Sequence, residues 1–263
     1  MSVRRNDVSD LERQLRRSDP HAPRVITLNG VYSMPGTLPD IPGYADLARR
    51  YDATLYIDDA HGIGVLGENP DASMPYGSGG GGVVRHFGLG YDHIVYVAGM
   101  SKAFSSLGAF VTCRSPAERS LFLTASTMIF SGPIPVASLA TALAGLRVNR
   151  DEGDRLRQHV HRLTTRIIRG ARDAGLVVEN EIGFPALTVV IGGVERVVEA
   201  CNVAWEHGIV FTPAVFPAMP LERGGLRLSV TAANTDEEVD ALLEALEDIA
   251  TRVMAKTSVS VRP

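Results

Sequence analysis

The chain has 263 residues, 45% of them hydrophobic, and a formal net charge of −4 at pH 7. That length can bury one or two cores, and a mildly acidic chain without a polybasic bias is not expected to bind nucleic acid. No stretch approaches the roughly 18 consecutive apolar residues of a membrane helix. The basic start, Met1 to Asp7, has no apolar segment behind it, and two distant cysteines, Cys113 and Cys201, predict buried, reduced thiols, so the expected location is cytoplasmic.

In chain order, Asp10 to Arg17 reads as a charged helix and Arg24 to Leu28 as a buried strand. Pro39 to Tyr51 has helical spacing, with Ile41, Tyr44, Leu47 and Ala48 on one face. An apolar run, Ala53 to Ile57, ends in Asp58-Asp59-Ala60-His61, and a second, His93 to Ala98, ends in Gly99-Met100-Ser101-Lys102. Strands separated by helical stretches predict βαβ units and a mainly parallel sheet, in which ligands gather at the carboxyl ends of strands. Between the two runs, the glycines from Gly77 to Gly82 read as a flexible surface loop, because no Lys-Ser/Thr pair follows to make a phosphate loop. Pro133 to Val148 is Ala/Leu-rich and reads as a buried helix. Asp151 to Ala174 reads as a longer amphipathic helix, with a boundary near Gly153. The remainder predicts a strand Ala186 to Ile191, a helix Glu195 to His207, strands Ile209 to Thr212 and Leu226 to Thr231, and a helix Thr235 to Val253.

Lys102 is one of only two lysines among 26 basic residues. A lysine at a strand end is commonly a solvated charge, and Asp-Asp-Ala-His could equally be a helix cap or two metal ligands. What favours chemistry is the order: strand, acid, two residues, imidazole, then a second strand ending in Ser-Lys. Pyridoxal phosphate needs that set. A lysine whose pKa is lowered can attack the aldehyde, an acid such as Asp58 keeps the pyridine nitrogen protonated, and an imidazole such as His61 reaches the ring oxygen or a substrate carbonyl. His86 reads as structural, His207 as a helix-end cap, His159 and His161 as too poorly spaced to share a ligand, and Glu237, Glu238, Asp240, Glu244 and Glu247 as a solvated face.

Three segments together, Val31-Tyr32-Ser33-Met34-Pro35-Gly36, Tyr56-Ile57-Asp58-Asp59-Ala60-His61-Gly62-Ile63-Gly64-Val65-Leu66-Gly67 and Gly99-Met100-Ser101-Lys102-Ala103-Phe104, resemble the α-oxoamine synthases. Further matches are Phe130-Ser131-Gly132-Pro133-Ile134-Pro135 and Gly225-Leu226-Arg227-Leu228-Ser229-Val230-Thr231. The resemblance covers nearly the whole chain. It implies an α/β, fold-type I pyridoxal phosphate-dependent transferase, with a partial large domain of mainly parallel sheet at residues 1–148 and a small α+β domain at 149–263. It implies that Lys102 holds the cofactor covalently and then transfers the proton, that Asp58 pairs with the pyridine nitrogen, and that His61 meets the phenolic oxygen. Ser33 lies near the ring, Ser131 reaches the phosphate of a neighbouring subunit, and Arg227 grips the amino-acid carboxylate.

The reaction so implied is decarboxylative condensation of an α-amino acid with an acyl-CoA or acyl-carrier thioester to an α-aminoketone, in a homodimer or a heterodimer with a homologue. Segment Phe211 to Pro217 resembles the substrate entrance. Departures cluster at the phosphate: Gly99 stands where the family has a hydroxyl residue, Gly132 replaces a second one, and Pro35 replaces an Asp. Family members also carry a long stretch before the position of Met1, which supplies the ring that stacks on the cofactor. Truncation, a split enzyme and a degenerate homologue that dimerises with a complete one are the expectations this raises. Another reaction on the same scaffold, such as amino transfer, is the competing enzymatic reading.

Overall fold

The computed structural model describes residues 3, 4 and 6–254, so Met1, Ser2 and Arg5 of the basic start lie outside the described residues. The described chain forms two compact units: residues up to Val31 together with Leu38–Asp154, and Tyr32–Thr37 together with residues from Arg155 onward.

The first unit contains α1 (Val8–Arg17), β1 (Val25–Asn29), α2 (Ile41–Arg50), β2 (Thr54–Asp58), α3 (Val83–His86), β3 (Ile94–Gly99), β4 (Ala109–Val111), α4 (Pro116–Thr124), α5 (Ser126–Ile129) and α6 (Val136–Asp151). Its sheet has the order β1-β2-β3-β4, with the first two pairings parallel and the last antiparallel. Local chemistry explains the elements. The Asp40 carboxylate accepts from the Gly43 amide at 3.0 Å and starts α2. That helix buries Ile41, Tyr44, Leu47 and Ala48, the face read from the spacing. Along β3, Ile94, Tyr96 and Ala98 are buried in strict alternation.

The second unit contains α7 (Gly153–Asp173), β5 (Val177–Val178), β6 (Ala186–Gly192), α8 (Val194–Glu206), β7 (Thr212–Ala214), β8 (Gly224–Ser229) and α9 (Asp236–Ile249). Its antiparallel sheet has the order β5-β6-β8-β7. One core gathers Leu163 and Ile167 of α7, Leu187 and Val189 of β6, Val197 and Val203 of α8, Leu226 of β8 and Leu246 of α9. A reciprocal cap, Thr235 with Glu238, starts α9.

Several expectations are corrected. Helix α6 is not buried: no residue of it is enclosed, and Val136 and Leu143 are 82% and 57% exposed. Its Ala/Leu composition is that of a covered face, but its contacts among the described residues, such as Phe104 beside Gly145 and the Ser106 hydroxyl on Ser138 O, enclose none of its side chains. Cys113 is exposed and Cys201 half-buried, both free. The glycine-rich segment is not a loose loop. Tyr76, Gly77, Gly80 and Gly82 are buried, and the segment is laced to residues 64–68 by Gly64 N–H to Gly80 O, Gly67 N–H to Tyr76 O and Gly82 N–H to Leu66 O at 2.7–2.8 Å. Strand β7 starts at Thr212, where the predicted strand was expected to end. Strands β4 and β5 were not read at all, being too short to show a period. Among the described residues no helix is long and apolar enough to cross a membrane.

Leu187 is fully buried at the centre of the second core. Leu187→Ala is expected to lower unfolding stability in urea by about 2–5 kcal/mol; a loss under about 1 kcal/mol would contradict that placement.

Candidate functional site

Parallel register sets the site. Asp58, the last residue of β2, lies opposite Val97 of β3 and Asn29 of β1, and β3 continues to Gly99 before the loop that carries Lys102. Acid, imidazole and amine therefore leave the same carboxyl edge of neighbouring strands, where α/β sheets hold ligands. The two loops also touch. A β-carbon at Gly99 would sit 3.5 Å from the Ala60 side chain, and one at Gly64 only 2.7 Å from that of Ala103. Gly64, at φ +80°, supplies both the left-handed backbone and the close approach that another residue would block. Phe104 is 5% exposed, and β-carbons at Gly64 and Gly145 would crowd its ring at 3.2 and 2.9 Å.

The Lys102 loop is pinned internally as well. The Met100 N–H donates to Gly108 O at 2.8 Å and the Ser106 N–H to Met100 O at 3.0 Å, while the Ser106 hydroxyl donates to Ser138 O at 2.6 Å. Lys102 itself is exposed, and its ammonium makes no hydrogen bond or ion pair among the described residues. Asp58 is exposed, and among the described residues its Oδ1 accepts only from the Ala60 N–H at 3.1 Å. His61 is half-buried.

Asp59 and Tyr96 were missed in the sequence. Asp59 is fully buried and accepts from the Val83 N–H at 2.7 Å, the Tyr96 hydroxyl at 2.8 Å and the Gly62 N–H at 3.1 Å. Burial pushes its carboxyl up to about 6, against the pull of those three donors, and the charge of Asp58 adds a little. Burial and the nearby Asp59 raise the Tyr96 hydroxyl far above the usual phenol range. Strand alternation was the available signal: if Asp58 faces outward at the end of β2, its neighbour faces in.

The remaining predicted residues lie elsewhere. Arg227, on β8, sits opposite Thr188 of β6 and Thr212 of β7. Its Nε donates to the Ser33 carbonyl at 3.3 Å and its Nη1 to the Ser229 hydroxyl at 3.0 Å, so Ser33 and Arg227 are brought together within the second unit. No carboxylate among the described residues pairs with that guanidinium. Ser131 follows α5 in an exposed turn, its hydroxyl donating to Met128 O at 2.9 Å. His86, read as structural, binds with Nδ1 at the Gly67 and Tyr76 carbonyls, 3.2 and 3.3 Å away, and the His207 cap meets Asp248 at 3.1 Å.

The donor set of the first unit fits pyridoxal phosphate: a primary amine without a competing partner, a carboxylate with one oxygen unengaged, and an imidazole between them in the chain. The phosphate end is thinner, since Gly99 and Gly132 offer no hydroxyl and a β-carbon at Gly132 would meet nothing within 4 Å among the described residues. No group of three metal-binding side chains occurs among the described residues.

The family model described as aminotransferase class I and II matches residues 1–246. The chain is similar to the 8-amino-7-oxononanoate synthase of Stutzerimonas stutzeri, 34% identical over 244 residues that are 92% of this chain and 59% of that protein. It is also similar to the serine palmitoyltransferase of Bacteroides ovatus, 30% identical over 249 residues, 94% of this chain and 59% of that one. Both names belong to the α-oxoamine synthases, which bears out the resemblance read from the motifs. The solved serine palmitoyltransferase of S. paucimobilis, with a bound PLP–myriocin aldimine, superposes with a TM-score of 0.84 at 23% identity, covering 95% of this chain and 60% of that one. The fold is that of the fold-type I transferases. The chain spans about three-fifths of the length of the relatives it matches.

The buried Asp59 fixes a pH dependence. Its pKa is higher folded than unfolded, so its contribution to stability is complete below the unfolded value of 3.8 and is lost as pH rises through about 6. Relative to Asp59→Asn, the native chain should therefore lose up to about 3 kcal/mol of unfolding free energy between about pH 4 and about pH 7. Denaturant titrations across that range check it; a difference that is flat or of opposite slope would refute the assignment.

Proposed function

The chain belongs to the aminotransferase class I and II family, and from that premise we propose that it serves a pyridoxal phosphate-dependent α-oxoamine synthase, condensing an α-amino acid with an acyl thioester to an α-aminoketone. One observation carries the reading: the Asp58–Gly64 turn and the Gly99–Phe104 loop pack on each other at the carboxyl ends of adjacent parallel strands. The names of the relatives, and the cofactor bound by a protein of the same fold, support it.

When bound, pyridoxal phosphate supplies an electron-poor ring that takes up the electron pair left on the substrate's α-carbon. The residues do the rest. Lys102 is the amine that would hold the cofactor, and its Nζ would carry the α-proton. Asp58 would keep a proton on the pyridine nitrogen, His61 would hydrogen-bond the phenolic oxygen, and Ser33 is the residue proposed for the ring. The planar fork of Arg227 clamps both oxygens of the amino-acid carboxylate. Ser131 offers its hydroxyl to the phosphate of a neighbouring subunit. In the net reaction the α-carbon bonds to the acyl carbonyl carbon, the thioester C–S bond breaks and releases the thiol, and the α-carboxyl group leaves as carbon dioxide.

A second reading, a dimer partner for a homologue, is favoured by the uncovered face of α4 to α6, where no residue is buried and Phe130 is 88% exposed. Exposed apolar side chains in such number are what an interaction surface presents. In either reading the working unit is a homodimer or a heterodimer. The free, exposed Cys113 suits a reducing cytoplasm. Amino transfer is the competing reaction on this family's scaffold; pyridoxamine phosphate formed without any acyl thioester would favour it.

Incubation with pyridoxal phosphate followed by borohydride should leave a phosphopyridoxyl mass on the peptide containing Lys102, and Lys102→Ala should carry none there. Label on some other residue, with Lys102 unmodified, would refute the assignment. Gly99→Thr should restore a hydroxyl where a new β-carbon would meet, among the described residues beyond its chain neighbours, the Ala60 β-carbon at 3.5 Å. Affinity for pyridoxal phosphate, read by absorbance titration, should then rise about tenfold; an unchanged or weaker affinity would mean that the phosphate does not sit beside Gly99.

A further inference from the structure

Among the buried ionisable side chains that the chemistry above leaves without a role, Asp59 is the one next in sequence to Asp58. Asp59 is fully enclosed although its sequence neighbour Asp58 is exposed. Space for it is reserved by three glycines. A β-carbon at Gly30 would lie 2.1 Å from its Oδ1, one at Gly62 2.2 Å from the same atom, and one at Gly82 2.6 Å from its Oδ2. Its donors come from three different places: the Gly62 N–H from the turn that carries His61, the Val83 N–H from the start of α3, and the Tyr96 hydroxyl from the middle of β3. A caged anion without directed donors would be too costly to keep, so this arrangement is a built carboxylate socket and not incidental burial.

We infer that Asp59 is the positioning residue of the site: its caged carboxylate ties the turn bearing Asp58 and His61 to β3 and to the end of the glycine-rich segment, and so fixes how acid and imidazole are presented. The inference rests on the pyridoxal phosphate reading for what Asp58 and His61 do, but the anchoring stands on the hydrogen bonds alone. The first turn beyond β2 is short. The Ala60 N–H that donates to Asp58 belongs to the residue directly after Asp59 and reports on whether the turn is held.

Two variants of the full chain test it. Asp59→Asn keeps the volume but sets an amide N–H against a backbone N–H, and Tyr96→Phe removes a single donor. In the absence of cofactor, hydrogen exchange at the Ala60 amide should quicken about tenfold in Asp59→Asn and less in Tyr96→Phe. An unchanged Ala60 rate in either variant, once folded, overturns the inference; should Asp59→Asn fail to fold, Tyr96→Phe alone decides. Pyridoxal phosphate titration then separates positioning from plain stability. Asp59→Asn should weaken binding about tenfold when Asp58 is present and add no further loss when Asp58→Asn is also present, whereas equal losses in both backgrounds overturn positioning. A native chain that takes up no pyridoxal phosphate, while Asp59→Asn still releases Ala60, sinks the cofactor reading and leaves the anchoring intact.

Discussion

The parallel pairing of β2 with β3 is the constraint on which the rest of the site depends. With Asp58 opposite Val97, the two strands end side by side, and the loops leaving them meet at Ala60 and Gly99 and at Gly64 and Ala103. A slip of one residue would exchange the faces of every side chain on β2. It would drive Asp58 inward and expose Asp59. Apolar alternation through Leu55 and Ile57 resists that slip, and the glycine-walled socket adds a second lock, since only the carboxylate at position 59 meets its three donors.

The second unit solves a different problem. Its antiparallel sheet buries Leu226 and Leu228 on one face of β8 and turns Arg227, between them, the other way. The guanidinium is steered by neutral oxygens, the Ser33 carbonyl and the Ser229 hydroxyl, which orient it without neutralising its charge.

Much of this was legible in the sequence where a period or a motif spanned enough residues. The buried face of α2, the strand ending at Asp58 and the start of α7 at Gly153 follow from spacing and from glycine punctuation. Site residues could be read only as far as a motif reached. Asp58, His61 and Lys102 stood out because strand ends made them conspicuous, whereas the work of Asp59 depends on Tyr96 and Val83, distant in sequence and invisible to any local rule. The glycine-rich segment misled for a related reason: flexibility is the usual meaning of glycine, but Gly82 is short of a side chain because Asp59 and Tyr96 occupy the space. Composition failed at α6 too, since an Ala/Leu-rich helix declares that it is to be covered and not by what.

The exposure of Lys102 has a chemical corollary. Of the 26 basic residues only two are lysines, the other being Lys256, while arginines supply almost all of the surface cations. Guanidinium groups, protonated throughout the physiological range, do not condense readily with simple aldehydes, whereas a lysine amine does. The protein thus offers carbonyl compounds very few side-chain amines on which to land, and metabolic aldehydes that escape other sinks would find Lys102 as one of only two lysine nitrogens.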